Sequence, residues 1–149
     1  MEPEGVILLA EDSEEDIWLF REVLERSGLG NRLQVVENGA EAISYLTGEE
    51  RFSDRTKFSL PGAFLLDLNL PKLSGWEVLR WVRSRLQFRD LLVVVFTGSV
   101  EVGHLRRAYA MGADSFLFKP WAVEDLTNLA KAFSYRWPRV GASGSATRV

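Results

Sequence analysis

Two adjacent acids, a third acid far downstream, a hydroxyl and an ammonium are the side chains of this 149-residue chain that could act together chemically. Glu11 and Asp12 follow the apolar run VILLA, Asp67 stands near the end of AFLLDL, Thr97 follows LLVVVF, and Lys119 follows SFLF. Asn38 and Gly39 follow a fifth run, LQVVE. Any one of these residues alone would be accounted for as a helix cap, a turn residue or surface polarity. Each standing at the end of its own apolar run is a different matter, because it suggests a shared rim. Two carboxylates about 4 Å apart repel by roughly 4 kcal/mol at an effective dielectric near 20. Three such groups need compensating charge or must protonate. Lys119 supplies one positive charge and a divalent cation would supply two. An all-oxygen donor set suits Mg²⁺, with Mn²⁺ as the alternative, better than zinc. Mg²⁺ held by one or two carboxylates keeps positions for water and phosphate oxygens, so a phosphorylated substrate or product fits.

The elements that must position these residues are legible from periodicity. Five short apolar runs cover residues 6–10, 33–37, 63–68, 91–96 and 115–118, and three of them are almost continuously apolar. Strands covered on both faces of a parallel sheet read that way. Helical segments lie between them. Ser13-Glu-Glu-Asp16 resembles a capping box ahead of Ile17, Phe20 and Leu24, and Gly28 is a plausible stop. Asn38-Gly-Ala-Glu41 opens a second helix, and Ser74-Gly-Trp-Glu77 caps a third that carries Val78, Leu79, Val82 and Leu86. A fourth runs from about residue 101 to 111. The fifth places Leu126, Leu129, Ala130, Phe133 and Trp137 on one stripe. Strand and helix alternating five times predict an α/β doubly wound sandwich. The flavodoxin-like (βα)5 order 2-1-3-4-5 is favoured, with its crevice between strands 1 and 3. In such sheets ligands bind beyond the carboxyl ends of the strands, where the residues above fall.

Composition sets the outer limits. The chain is 46% hydrophobic and 26% charged, with a net charge of −3, which argues against a nucleic-acid partner. It has no cysteine, which excludes disulfides, thiolate metal sites and a cysteine nucleophile. No secretory signal or span of roughly 20 apolar residues is visible, so a cytoplasmic location without membrane attachment is expected. One domain over residues 1–137 is predicted, with 138–149 as a small, polar, disordered tail. Residues 48–61 make an unusually long, charged connection before strand 3.

The strings ILLAEDSEED, LLDLNLPKLSGWEVL, VVVFTGS and GADSFLFKP resemble the receiver domains of two-component response regulators, from about residue 5 to 137. The resemblance implies that Asp67 accepts a phosphoryl group from a phosphohistidine on a partner sensor histidine kinase. It implies Mg²⁺ ligation by Asp12, by Glu11 largely through water, by Asp67 and by the backbone carbonyl of Asn69. Lys119 would pair with phosphoryl oxygens and Thr97 would hydrogen-bond one of them. Phe116 holds the aromatic switch position, whose ring turns inward as Thr97 moves. Pro120 would follow a cis peptide bond that aims Lys119. Glu11 replaces the commoner Asp, and Gly98 leaves room for the phosphate to approach. The long loop and DLNLPKLSGWEVL also resemble, more loosely, the single-domain regulators that pair with phytochrome-type kinases.

Other classes fit less well. A haloacid-dehalogenase type phosphatase places its nucleophile before the acidic pair and a second Asp two residues beyond it, where this chain has Asn69. A flavodoxin-like cofactor carrier needs a phosphate loop that Glu11 and Asp12 would repel. The expected function is therefore a stand-alone phosphoacceptor of a two-component system, which assists its own phosphorylation and dephosphorylation and is otherwise no enzyme. A phosphorelay intermediate and a degenerate, phosphorylation-independent binding module are the alternatives. With 12 residues after Trp137, no DNA-binding domain is expected. Output would come through contact at the helix 4–strand 5–helix 5 face, with a homodimer there among the choices. Arg80, Arg83, Arg85 and Arg89 read as a solvated face, His104 as a solvated or half-buried surface residue, and Trp121 as either helix-start packing or a partner contact.

Overall fold

The computed structural model describes residues 5–99 and 101–140. Five parallel strands, β1 (Val6–Ala10), β2 (Arg32–Val36), β3 (Ala63–Asp67), β4 (Leu92–Thr97) and β5 (Ser115–Phe118), form one sheet in the order 2-1-3-4-5. The fold is the expected flavodoxin-like sandwich. Every residue of β1, β3 and β4 is buried, which is why their sequences are continuously apolar rather than alternating. The edge strands β2 and β5 are partly exposed.

The helices are α1 (Glu14–Ser27), α2 (Gly39–Thr47), α3 (Gly75–Ser84), α4 (Val102–Ala110) and α5 (Val123–Ala132). Alternate residues of each central strand face opposite cores. Ile7, Leu9, Leu65 and Phe96 pack under α1 and α5, while Leu8, Phe64, Leu66 and Val95 pack under α2, α3 and α4. Asn38 Oδ1 accepts from the Glu41 N–H at 2.8 Å, and Ser74 and Glu77 form a reciprocal capping box. No helix among the described residues is long and apolar enough to cross a membrane.

Several expectations change at this level. Trp137 does not belong to the α5 stripe, because the helix ends at Ala132. The chain turns, and the Trp137 indole N–H reaches back to Asn31 Oδ1 at 3.0 Å. The following Pro138 disfavours helical backbone there in any case. Of the segment expected to be a tail, Pro138 is buried against Gly62 and its carbonyl accepts from Asn31 at 2.9 Å. Residues 141–149 lie outside the described residues. Trp121 is a core residue, 6% exposed, with its ring edge-on to Phe96 at 4.5 Å and to Phe20 at 5.0 Å.

Arg83 departs from the solvated face of α3. Its guanidinium donates to the carbonyls of Gly112, Phe88 and Leu91 and pairs with Asp114 at 2.9 Å. Asp114 also takes both amino groups of Arg136, at 2.9 Å each, and the Val93 N–H. This network ties together the amino-terminal ends of β4 and β5. The long connection after α2 packs at the same end of the sheet. Phe52 and Phe58 close over Tyr45, whose hydroxyl donates to the Ser59 carbonyl at 2.7 Å. Burial pushes the Tyr45 hydroxyl up to about 12, partly opposed by the charges of Arg55 and Arg32.

Candidate functional site

At the opposite end of the sheet, the turns after β1, β3, β4 and β5 bring the predicted residues together. Asp67 is the last residue of β3 and is 3% exposed. Its Oδ1 accepts from the Asn69 N–H at 3.0 Å, and its Oδ2 accepts from Lys119 Nζ at 3.1 Å. Glu11 is equally buried at the end of β1; its Oε2 accepts from the Ser13 N–H, and its Oε1 lies 2.6 Å from Lys119 Nζ. Asp12 is exposed beside them. Carboxylate oxygens of Glu11, Asp12 and Asp67 all lie within 4.8 Å of one another. Thr97 is buried as the last residue of β4, one position earlier in the turn than expected, and its Oγ1 accepts from the Ser99 N–H at 3.1 Å. The Thr97 carbonyl accepts from the Lys119 N–H at 2.9 Å, fixing the backbone from which the ammonium extends. The peptide between Lys119 and Pro120 is cis. Gly98 is open, since a Cβ there would meet no atom within 4 Å.

The electrostatics are out of balance. Burial pushes the Glu11 carboxyl up to about 7, with the Asp67 charge acting in the same direction; the hydrogen bonds from Lys119 and Ser13 only partly oppose them. Burial alone would lower the Lys119 ammonium, but the bonds to Asp16 and Glu11 and the charge of Asp67 more than reverse this and raise it. Two buried acids and an exposed one, facing one shared space lined by oxygen, fit a hard divalent cation. The donor chemistry therefore agrees with Mg²⁺ or Mn²⁺ at Glu11, Asp12 and Asp67.

Two residues escaped the sequence reading. Asp16 Oδ2 accepts from Lys119 Nζ at 2.8 Å, a third carboxylate on the same ammonium. The expected capping box at α1 is only half formed: Ser13 Oγ accepts from the Asp16 N–H at 3.3 Å, but the Asp16 carboxylate turns to Lys119. The Ser13 N–H is taken by Glu11 instead. The acid four residues after Asp12, on the first turn of the next helix, was the available signal. The other residue is Gly75, whose N–H donates to the Leu68 carbonyl at 3.0 Å. A Cβ at Gly75 would collide with the Asp67 carbonyl, so glycine lets α3 start directly against the turn that follows Asp67.

Phe116 sits 7% exposed in the core with Ala108 of α4, and its ring is edge-on to Phe118 at 5.2 Å.

A model described as the response regulator receiver domain matches residues 7–131. The chain is 36% identical over 132 residues to "Probable methanogenesis regulatory protein FilR2" of Methanothrix harundinacea, covering 89% of this chain and 83% of that one. It is 31% identical over 135 residues to "Response regulator Rcp1" of Synechocystis sp., covering 91% and 90%. A solved structure of the Mn²⁺-bound form of Rcp1 superposes with a TM-score of 0.73 at 30% identity, over 92% and 99% of the two chains. The bacteriophytochrome response regulator AtBRR superposes with a TM-score of 0.80 at 32% identity, over 95% and 99%.

Proposed function

The chain belongs to the response regulator receiver family, a signalling family, and on that premise we propose that Asp67 is its phosphoacceptor. The single observation that carries the proposal is the Asp67 carboxylate itself, buried, 3.1 Å from Lys119 Nζ, and sharing one space with Glu11 and Asp12. Phosphoryl transfer asks little covalent chemistry of the protein; it asks for a positioned nucleophile and neutralised charge. An oxygen of Asp67 attacks phosphorus of a phosphohistidine, the P–N bond breaks, and the imidazole leaves with a proton. Lys119, already shared among three carboxylates, reaches the transferred group by a short shift from Asp67 to its oxygens. Thr97, at the end of β4 beside open space at Gly98, donates its hydroxyl hydrogen to one of them. Mg²⁺, or Mn²⁺ as in the form of Rcp1 named above, would be held by Glu11, Asp12, Asp67 and the Asn69 carbonyl, and when bound would supply positive charge that offsets these acids and the phosphoryl oxygens.

The donor is a sensor histidine kinase. Its phytochrome type is supported by the similarity to AtBRR, a bacteriophytochrome response regulator. Output by homodimerisation through α4, β5 and α5 is supported by Val102, Tyr109 and Phe118, apolar side chains exposed by 69%, 44% and 38% on α4 and β5. The test is incubation with acetyl phosphate and Mg²⁺ followed by intact mass measurement. One phosphoryl group should be gained, and chelation should prevent it. A folded protein that gains none would leave only the reading as a phosphorylation-independent binding module.

A further inference from the structure

On the face away from α1 and α5, α3 and α4, with Ile43 of α2, line an open groove that the chemistry proposed at Asp67 does not use. Leu73, Trp76, Trp81 and Met111 give it an apolar lining. Arginines surround the two indoles. The Arg107 guanidinium lies 4.2 Å from the Trp76 ring centre, and that of Arg85 lies 5.0 Å from the Trp81 ring centre. Arg80 is exposed on the wall between them. Among the described residues none of these three arginines makes a salt bridge, in contrast to Arg83 one turn away. Glu77 is the one acid in the lining, and its Oε1 is already committed to the Ser74 N–H in the cap of α3. A protein of net charge −3 thus concentrates unpaired positive charge around two partly covered tryptophans.

We propose that this groove docks an acidic segment of a partner protein, with an aromatic or leucine side chain against Trp76 and Trp81 and carboxylates on Arg80 and Arg107, which line it, and on Arg85 over the Trp81 ring beside it. Guanidinium groups present paired donors that match carboxylates, and they are held over the indole faces without losing them. Tryptophan and arginine are the residues that most often dominate binding energy at interfaces. The inference does not depend on phosphorylation of Asp67, which lies at the rim of the sheet.

The test is selection of random displayed peptides of about 16 residues, roughly four helical turns, against the full chain. The enriched peptide is then titrated into the isotope-labelled protein while the tryptophan indole N–H resonances are followed. The enriched sequences should be acidic with aromatic or leucine residues, and the Trp76 and Trp81 resonances should move while those of Trp121 and Trp137 stay. The double substitution Arg80→Ser, Arg107→Ser should weaken binding about tenfold or more with an unchanged circular dichroism spectrum. Neutral or basic enriched peptides overturn the proposal, as do shifts mapping elsewhere or recovery of no peptide. Concentration-dependent shifts at the groove without peptide would assign it to a second copy instead, and preferential binding of an oligonucleotide would assign it to nucleic acid; either also overturns it.

Discussion

The molecule carries two charge clusters at opposite ends of one sheet, and they are built on opposite terms. At the amino-terminal end of β4 and β5, two arginines converge on the single carboxylate of Asp114, and the remaining donors of Arg83 go to backbone carbonyls. Burial lowers the Arg83 guanidinium, but the charge of Asp114 opposes it, and the group stays fully partnered. At the carboxyl-terminal rim, Glu11, Asp16 and Asp67 compete for one ammonium, and Asp12 stands beside them. Burial, with the Asp67 charge acting in the same direction, pushes Glu11 up to about 7 despite the hydrogen bonds from Lys119 and Ser13. The first cluster is complete without anything added. The second gathers more acids than cations, which is the arrangement the proposed Mg²⁺ site and phosphoacceptor would use.

Substitutions in each cluster should have different consequences. The largest effect is expected for Asp67→Asn, which should abolish the phosphoryl adduct with acetyl phosphate altogether, as read by intact mass. Asp114→Ala should leave phosphorylation intact and cost about 3 kcal/mol of stability, because it strands two guanidinium groups, one of them largely buried. Thermal unfolding would register that as a drop of roughly 6–12 °C for a chain of this size. A loss of phosphorylation in that variant at temperatures where it is folded would erase the distinction between the clusters.

Tyr45→Phe, near the satisfied end, should cost about 1 kcal/mol for the lost bond to the Ser59 carbonyl. Its pH signature has a definite sign. The folded hydroxyl is raised from 10 to about 12, so its contribution is complete below pH 10 and is lost as pH rises toward 12. Denaturant melts across that window should decline more steeply for the native chain than for the variant. The smallest effect is expected for Asp16→Asn, under about 1 kcal/mol, since its side chain is partly exposed and Lys119 keeps Glu11 and Asp67.

Much of this organisation was legible in the residues, for reasons the structure makes physical. β1, β3 and β4 are buried on both faces, so burial wrote itself into continuous apolar runs. Asp67, Thr97 and Lys119 could be placed because each ends or directly follows such a run, and a parallel sheet aligns those ends at one rim. What was not legible depends on pairs far apart in the chain. The Asp16 contact to Lys119 spans 103 residues, and locally Asp16 reads as a capping acid. Arg83 reads as a solvated member of an arginine-rich helix until Asp114, 31 residues on, is placed against it. Trp137 continues the helical spacing of α5, and only the Asn31 contact, 106 residues away, shows where the chain actually goes.

Repulsion among the buried acids of the rim should be measurable in the stability of the protein. Thermal unfolding of the native chain and of Asp67→Asn, each in EDTA and in Mg²⁺, tests it most directly. In EDTA, Asp67→Asn should unfold at the higher temperature: the amide oxygen can still accept from the Asn69 N–H, Lys119 keeps Glu11 and Asp16, and removing the repulsion with Glu11 outweighs the lost Asp67–Lys119 pair. Mg²⁺ should raise the native chain more than the variant. A variant less stable than the native chain in EDTA, with Mg²⁺ shifting both alike, would contradict the claim.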